Sequence, residues 1–231
     1  MIKSKEKKDR DATFSKPLFR SPFYDFFAAQ ETEGHWYNWN GYKSPTILSD
    51  EELEYFSIRS TSSVFDISPL NKYRIIGPQA EEFLNKLTVR NVAKQNVATV
   101  KYTLWCDQEG FVIDDGTLFR ISKNDFRLCS QEKHLPWLID TSHGFDVEII
   151  DESKDICGLS IQGPTSASIL RLLGVDGIDN LKPFHLIQTK ISNMPILISR
   201  TGFTGDLGYE IFMKNNAANE IIEKVWNAGT K

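Results

Sequence analysis

The chain is poor in the residues that build covalent or metal-bound frameworks. It has three cysteines in 231 residues, Cys106, Cys129 and Cys157, and no C-x-x-C pair. A disulfide framework or a zinc site is therefore not expected; reduced thiols in a cytoplasmic protein are. Of the four histidines, His134 and His143 are too far apart to share one helical turn, and His35 and His185 have no paired ligand. No run of about 18 apolar residues occurs, which leaves no candidate membrane helix. The charged N-terminus leads into no apolar stretch, unlike a secretory signal. Charge of one sign is not in excess either. A formal net charge of −4 gives no field for nucleic acid or an anionic membrane. G-x-G-x-x-G, Walker A, G-x-S-x-G and H-E-x-x-H are all missing, so the common nucleotide, serine-hydrolase and metalloprotease signatures are unsupported.

What is present is globular. Hydrophobic residues make up 40% and charged residues 25%, enough for a packed core. Residues 1–16 are charged and read as a disordered arm. Residues 21–46 crowd Phe23, Tyr24, Phe26, Phe27, Trp36, Tyr37, Trp39 and Tyr42 between Gly34, Gly41 and Pro45. That stretch is too broken for a long helix. It reads either as a wrap that walls a pocket or as a plug for the core.

Glu51–Arg59 reads as a helix capped by Ser49 or Asp50. Ser63–Ser68 and Tyr73–Ile76 read as strands. Gly77-Pro78 then opens an apolar-periodic helix carrying Phe83, Leu84 and Leu87, with the proline at the first helical position. The same unit recurs: strand Cys157–Gln162, Gly163-Pro164, then a helix carrying Ile169, Leu170 and Leu173. Two strand–GP–helix modules imply a pseudo-duplicated α+β fold. Between them lie strands Tyr102–Cys106, Phe111–Asp115, Thr117–Ile121 and Asp125–Cys129, a helix from His134 to Ser142, and a strand from Phe145 to Ile150. One or two strands over Ile191–Arg200 and an amphipathic helix over Ala217–Ala228 complete the reading.

Two places could carry chemistry. In Asp114-Asp115, neighbours on a strand point to opposite faces, so one acid at most enters a given pocket. Asp115 shares a side with Phe111, Ile113 and Thr117, where an acid could act as a base or accept a cationic amine. An ordinary turn-adjacent acidic pair is the plain alternative. Glu210 follows Gly202, Gly205 and Gly208 and lies among Tyr209, Ile211 and Phe212. Burying a charge there costs several kcal/mol unless partners compensate. A pterin presents a ring N–H beside an exocyclic amino group, and one carboxylate matches both donors. The alternative is a strand Glu paired with a surface cation. Tyr102, Phe203 and Tyr209 could pack on a flat ring or simply fill the core.

Four segments then fall in a familiar order: Ser63-Val-Phe-Asp-Ile-Ser68, Gly110-Phe-Val-Ile-Asp-Asp115, Leu159-Ser-Ile-Gln-Gly-Pro164 and Arg200-Thr-Gly-Phe-Thr-Gly-Asp-Leu-Gly-Tyr-Glu210. From about residue 20 onward, the chain resembles the folate-binding part of the aminomethyltransferase family, the T-protein family of the glycine cleavage system. The resemblance implies an α+β fold with antiparallel sheets around a central folate cavity, formed here by residues 17–231. It implies transfer of a one-carbon unit to tetrahydrofolate, as an aminomethyl- or methyltransferase. The donor would be a small methylated or aminomethylated molecule, or a lipoyl carrier protein. By position, Asp115 matches the catalytic aspartate and Glu210 the pterin-gripping glutamate. Leu70, Tyr102 and Phe203 match cavity-lining positions. Asp114 and Gln131 fall beside them as further folate-binding candidates.

There are departures from the family pattern. Phe203 stands where Tyr is usual, and Gln131 where Asn is usual. Gly116 and the Trp36–Tyr42 run look more like relatives that demethylate small methylated compounds. The family's C-terminal portion, with a later arginine and a closing β-barrel, is expected to lie beyond Lys231. The rival reading is a folate-binding module of the same fold without transferase activity, which tends to lose the Asp-Asp and G-x-E features kept here.

Overall fold

The computed structural model describes residues 17–30 and 35–230. The arm read over residues 1–16 lies outside the described residues. The aromatic stretch begins with a short helix, α1 (Tyr24–Gln30), and continues into a hairpin of β1 (His35–Trp39) and β2 (Tyr42–Ile47). Asn40 and Gly41 form the hairpin turn, both at positive φ, as a tight turn of this kind requires. Helix α2 (Glu51–Ser60) begins where the capping pattern placed it, with the Asp50 carboxylate accepting from the Leu53 N–H.

The remaining strands form two five-stranded antiparallel sheets. One contains β4 (Asn71–Ile76), β5 (Thr99–Cys106), β6 (Val112–Ser122), β7 (Asp125–Ser130) and β8 (Glu148–Asp151), in the order β5-β6-β7-β4-β8. The other contains β3 (Ser63–Asp66), β9 (Ile156–Gln162), β10 (Leu186–Ile191), β11 (Met194–Ser199) and β12 (Gly208–Lys214), in the order β10-β11-β12-β9-β3. The two Gly-Pro modules take matching places. β4 leads into α3 (Ala80–Leu87) and β9 into α5 (Ser166–Leu172), and each strand is next to the edge of its sheet. Pro78 and Pro164 sit in the turn just before these helices, not at the first helical residue. The preceding glycines hold positive φ, and a Cβ on either would strike backbone, Asp146 O from Gly77 and Thr61 O from Gly163.

Three apolar clusters bind these layers. Phe83, Leu84 and Trp105 pack α3 and α4 (Leu135–Thr141) on one sheet. Leu170, Ile211 and Ile222 pack α5 and α6 (Ala218–Gly229) on the other. A third cluster, with Ile67, Val100, Phe119, Leu197 and Phe212, joins the two sheets face to face. The order of layers is thus helix, sheet, sheet, helix. At about 25 cal/mol per Å² of apolar surface, the contacts between sheets alone are a large stabilising term.

Some expectations shift in detail. The strands expected at Phe111–Asp115 and Thr117–Ile121 are one continuous strand, β6, running through Gly116. Phe145 and Val147 precede β8 and pack on the core instead of pairing in it.

Candidate functional site: a cleft at one end of the sheet pair

Phe119 of β6 meets Phe212 of β12 edge-on across the two sheets, ring centroids 5.4 Å apart. Side chains two and four residues along share the same faces. On β6 these are Thr117 and Asp115, with Tyr102 opposite Thr117 and Leu104 opposite Asp115. On β12 the next residue on that face is Glu210, opposite Ser199 on one side and Ser160 on the other, with Phe65 opposite Ser160. Cys129 lies opposite Thr117. Burial pushes its thiol up to about 12, and Glu210 is among the charges acting on it. Asp115 and Glu210 therefore belong to facing surfaces at the same end of the inter-sheet core.

A bulge corrects the expected face of Asp115. Trp105 pairs with Asp114 while Cys106 pairs with Val112, so Ile113 is an extra residue. It breaks the alternation. Asp115 keeps company with Thr117 and Tyr102, but not with Phe111 and Ile113, and it is exposed. The Asp115 carboxylate beside the Tyr102 hydroxyl raises the Tyr102 pKa. Asp114 points the other way and does not join the cleft. Its carboxylate accepts from the Asp115 N–H (2.8 Å) and the Glu132 N–H (3.1 Å), and it meets His134 Nε2 at 2.8 Å. Those contacts fix the backbone from which Asp115 projects.

Glu210 is held by an equally specific frame. The Thr201 hydroxyl donates to Oε2, and the Thr201 and Ser199 hydroxyls are 2.6 Å apart. The other oxygen accepts no hydrogen bond from the described residues. Burial raises the Glu210 pKa, and the Thr201 bond opposes that only in part. Two sequence motifs interlock behind it. Gln162 donates to Ser160 Oγ (2.8 Å) and Thr201 O (3.2 Å), and accepts from Thr204 Oγ1 (3.0 Å). A Cβ on Gly202 or Gly208 would fall within 2.1 Å of the Gln162 amide oxygen, so both glycines are needed to admit that side chain.

The other expected residues fall around this end. Leu70 packs half-buried against the inter-sheet core. Phe203 is 73% exposed and meets Phe65 edge-on at 5.9 Å. Gln131 is taken up by the aromatic hairpin: its amide oxygen accepts from Trp39 Nε1 (3.0 Å), and its backbone oxygen from Asn71 Nδ2 (3.0 Å) and Asn40 Nδ2. The hairpin thus walls a pocket, while Phe23 and Phe27 of the same aromatic run are buried in the core, so each of the two readings holds for part of it. A cavity of about 650 Å³ opens here, lined by Tyr37, Trp39, Phe65, Gln131 and Phe203 among others. Asp115, Glu210, Tyr102 and Leu70 do not line this cavity; strand register places them at the same end of the two facing sheets. Sequence reasoning missed Thr201, Ser199 and Phe65 as part of the frame. Only the register that sets Ser199 and Phe65 in line with Glu210 identifies them.

Among the described residues, no cluster of His, Cys, Asp and Glu could hold a metal ion, and no helix is long and apolar enough to cross a membrane. Compared with known families, residues 25–231 match the GCVT N-terminal domain. The chain belongs to that family. Among curated relatives of this GCVT N-terminal domain, an aminomethyltransferase of Clostridium botulinum (strain Okra / Type B1) is 32% identical over 207 residues, 87% of this chain and 55% of the relative. One from Bacillus subtilis (strain 168) is 31% identical over 217 residues, 92% of this chain and 59% of the relative. The chain therefore spans a little over half the length of these relatives. Among solved structures, the glycine cleavage system aminomethyltransferase T from Bartonella henselae superposes with a TM-score of 0.82 at 23% identity, over 90% of this chain and 57% of that one. The α+β arrangement of antiparallel sheets is that fold.

Proposed function

We propose that this GCVT N-terminal domain binds tetrahydrofolate in the cleft between its sheets and serves transfer of a one-carbon unit to it. The donor is a small methylated or aminomethylated molecule, or an aminomethyl-bearing lipoyl carrier protein. Residues 17–231 form the folate-binding domain. The observation that carries the reading is Glu210: a shielded carboxylate with one oxygen anchored by Thr201 and the other accepting no hydrogen bond from the described residues. Such a group fits the paired donors of a pterin, because a ligand supplying two N–H bonds offsets the cost of its charge.

Bound there, reduced folate supplies the nucleophilic nitrogen that accepts the one-carbon unit. Tyr102, Leu70 and Phe203 wall the ring and exclude water, and Gln131 holds the hairpin over it. Asp115 at the open end lies beside the Tyr102 hydroxyl and is placed to take up a proton or support positive charge at the reacting amine. The transferase reading is preferred over a binding-only module because Asp115 is projected into the cleft by a dedicated set of bonds to Asp114.

Calorimetric titration with tetrahydrofolate tests the assignment. Glu210→Ala should weaken binding by about 100-fold, as loss of two charge-assisted hydrogen bonds requires. Asp115→Asn should stay within a few-fold of wild type, since its role is in transfer and not in grip. A well-folded wild-type chain that binds no folate, or a Glu210→Ala variant that binds as wild type does, overturns the reading.

A further inference from the structure

Helix α2 differs from the other long helices of the fold: none of its residues is buried, and Leu53, Tyr55 and Phe56 are each more than half exposed. Helices in proteins are held mainly by the apolar face they bury, so α2 owes little of its place to packing. Its last turn carries Arg59. Arg59 Nη1 donates to the Thr204 carbonyl at 2.8 Å and forms an ion pair with the Asp206 carboxylate. The guanidinium also lies over the Tyr55 ring, one turn back, at 5.2 Å from its centroid. That stacking restricts a long side chain before it makes either bond.

Both acceptors belong to the glycine-rich segment between β11 and β12, which carries Phe203. From β9, Gln162 ties Thr201 O and Thr204 Oγ1. From α2, Arg59 ties Thr204 O and Asp206. Gly205, at φ +80°, turns the chain between those two acceptors. Phe203 has no comparable hold of its own. Its ring is 73% exposed, so burial fixes it weakly, and it meets Phe65 edge-on at 5.9 Å. The backbone on either side therefore sets its place. Phe203 lines the 650 Å³ cavity, and so do Glu54 and Ser57 of α2. The Arg59 contacts fasten one rim of that cavity to the other.

We propose that Arg59 is a positioning residue: through Thr204 and Asp206 it latches the segment 201–207 and holds Phe203 at the cavity rim. Its effect on ligand binding rests on the folate reading, in which Phe203 walls the ring. The latch itself stands on the contacts alone.

Two measurements on the whole chain test it, and the first needs no ligand. Chymotrypsin cleaves after aromatic residues and requires a locally opened segment. Arg59→Met and Asp206→Asn should each be cut after Phe203 at least about fivefold faster than wild type, within the range of an exposed ion pair joined to a charged hydrogen bond. Cleavage after Phe111, which is 68% exposed between β5 and β6, should keep its wild-type rate. A wild-type rate after Phe203 in both variants overturns the proposal, and so does equal acceleration at Phe111, which would be global loosening. The second measurement is calorimetry with tetrahydrofolate. Arg59→Met and Phe203→Ala should each weaken binding by about three- to tenfold. Adding Arg59→Met to Phe203→Ala should cost nothing further, because no ring is left to position. A cost of Arg59→Met that persists in full without the Phe203 ring, or wild-type affinity in Arg59→Met itself, overturns the positioning role. A wild-type chain that binds no folate fails the folate reading, and the cleavage comparison still decides the latch.

Discussion

Glu210 and Asp66 share a property that a stability measurement can read. Burial raises the pKa of both carboxyls, and in each the hydrogen bonds to hydroxyls and N–H groups recover only part of the shift. A carboxyl whose pKa rises on folding binds its proton more tightly in the native state. Its stabilising contribution is complete below the ordinary carboxylate range and is lost as pH climbs through the raised value. Glu210→Gln keeps an acceptor for Thr201 and removes the charge. The variant should therefore melt at a higher temperature than wild type at about pH 8, and the gap should close toward about pH 4, where both side chains are neutral. Each kcal/mol recovered corresponds to about 2–4 °C in a chain of this size. A gap that is the same at both pH values would mean that Glu210 carries no unfavourable charge. The stabilised variant should at the same time lose folate affinity, the expected exchange at a site built around a shielded charge.

At the scale of one element, β6 is the strand on which the cleft depends. It pairs with β5 and β7, carries the bulge at Ile113, and passes β7 so closely at Gly116 that a Cβ would lie 2.1 Å from the Cys129 carbonyl oxygen. Because backbone would have to move on both strands, Gly116→Ala should destabilise the chain by at least about 2 kcal/mol, measured as a lower urea midpoint. A variant as stable as wild type would show that β7 can yield. Gly116 also illustrates what the sequence could reveal. The apolar alternation on either side of it marks the strands, and the paired Gly-Pro steps mark the two modules. The break in alternation at Ile113 was not visible, because a bulge is set by the partner strand and leaves no mark in local periodicity. For the same reason simple alternation groups Asp115 with Phe111 and Ile113, and no local signal marks Thr201. The carboxylates at Asp115 and Glu210 were legible as residues out of place in apolar strands. What holds them came only with the pairing.

Across the whole molecule, the joint between the sheets is narrow and specific. Phe212 meets Phe119 edge-on, lies under the Arg127 guanidinium at 5.8 Å, and sits so close to Gly158 that a Cβ there would come within 3.3 Å of its ring. Phe212→Ala should cost about 3–5 kcal/mol. Since the same contacts set the separation of Asp115 from Glu210, the variant should also weaken folate binding while remaining cooperatively folded in a urea titration. A loss confined to stability, with folate affinity intact, would mean that the cleft is shaped by each sheet separately.

The order of strands along the chain has a consequence for how the protein comes into being. One sheet is drawn wholly from residues 71–151, whereas the other is made of β3, which precedes that block, and of β9 to β12, which follow it. Ser63 of β3 pairs with Gln162 of β9. During synthesis the sheet of residues 71–151 can therefore close as soon as its own segment has left the ribosome. β3 meanwhile waits as an unpaired edge until β9 emerges, and that long loop closure is the slow step that a contiguous sheet avoids.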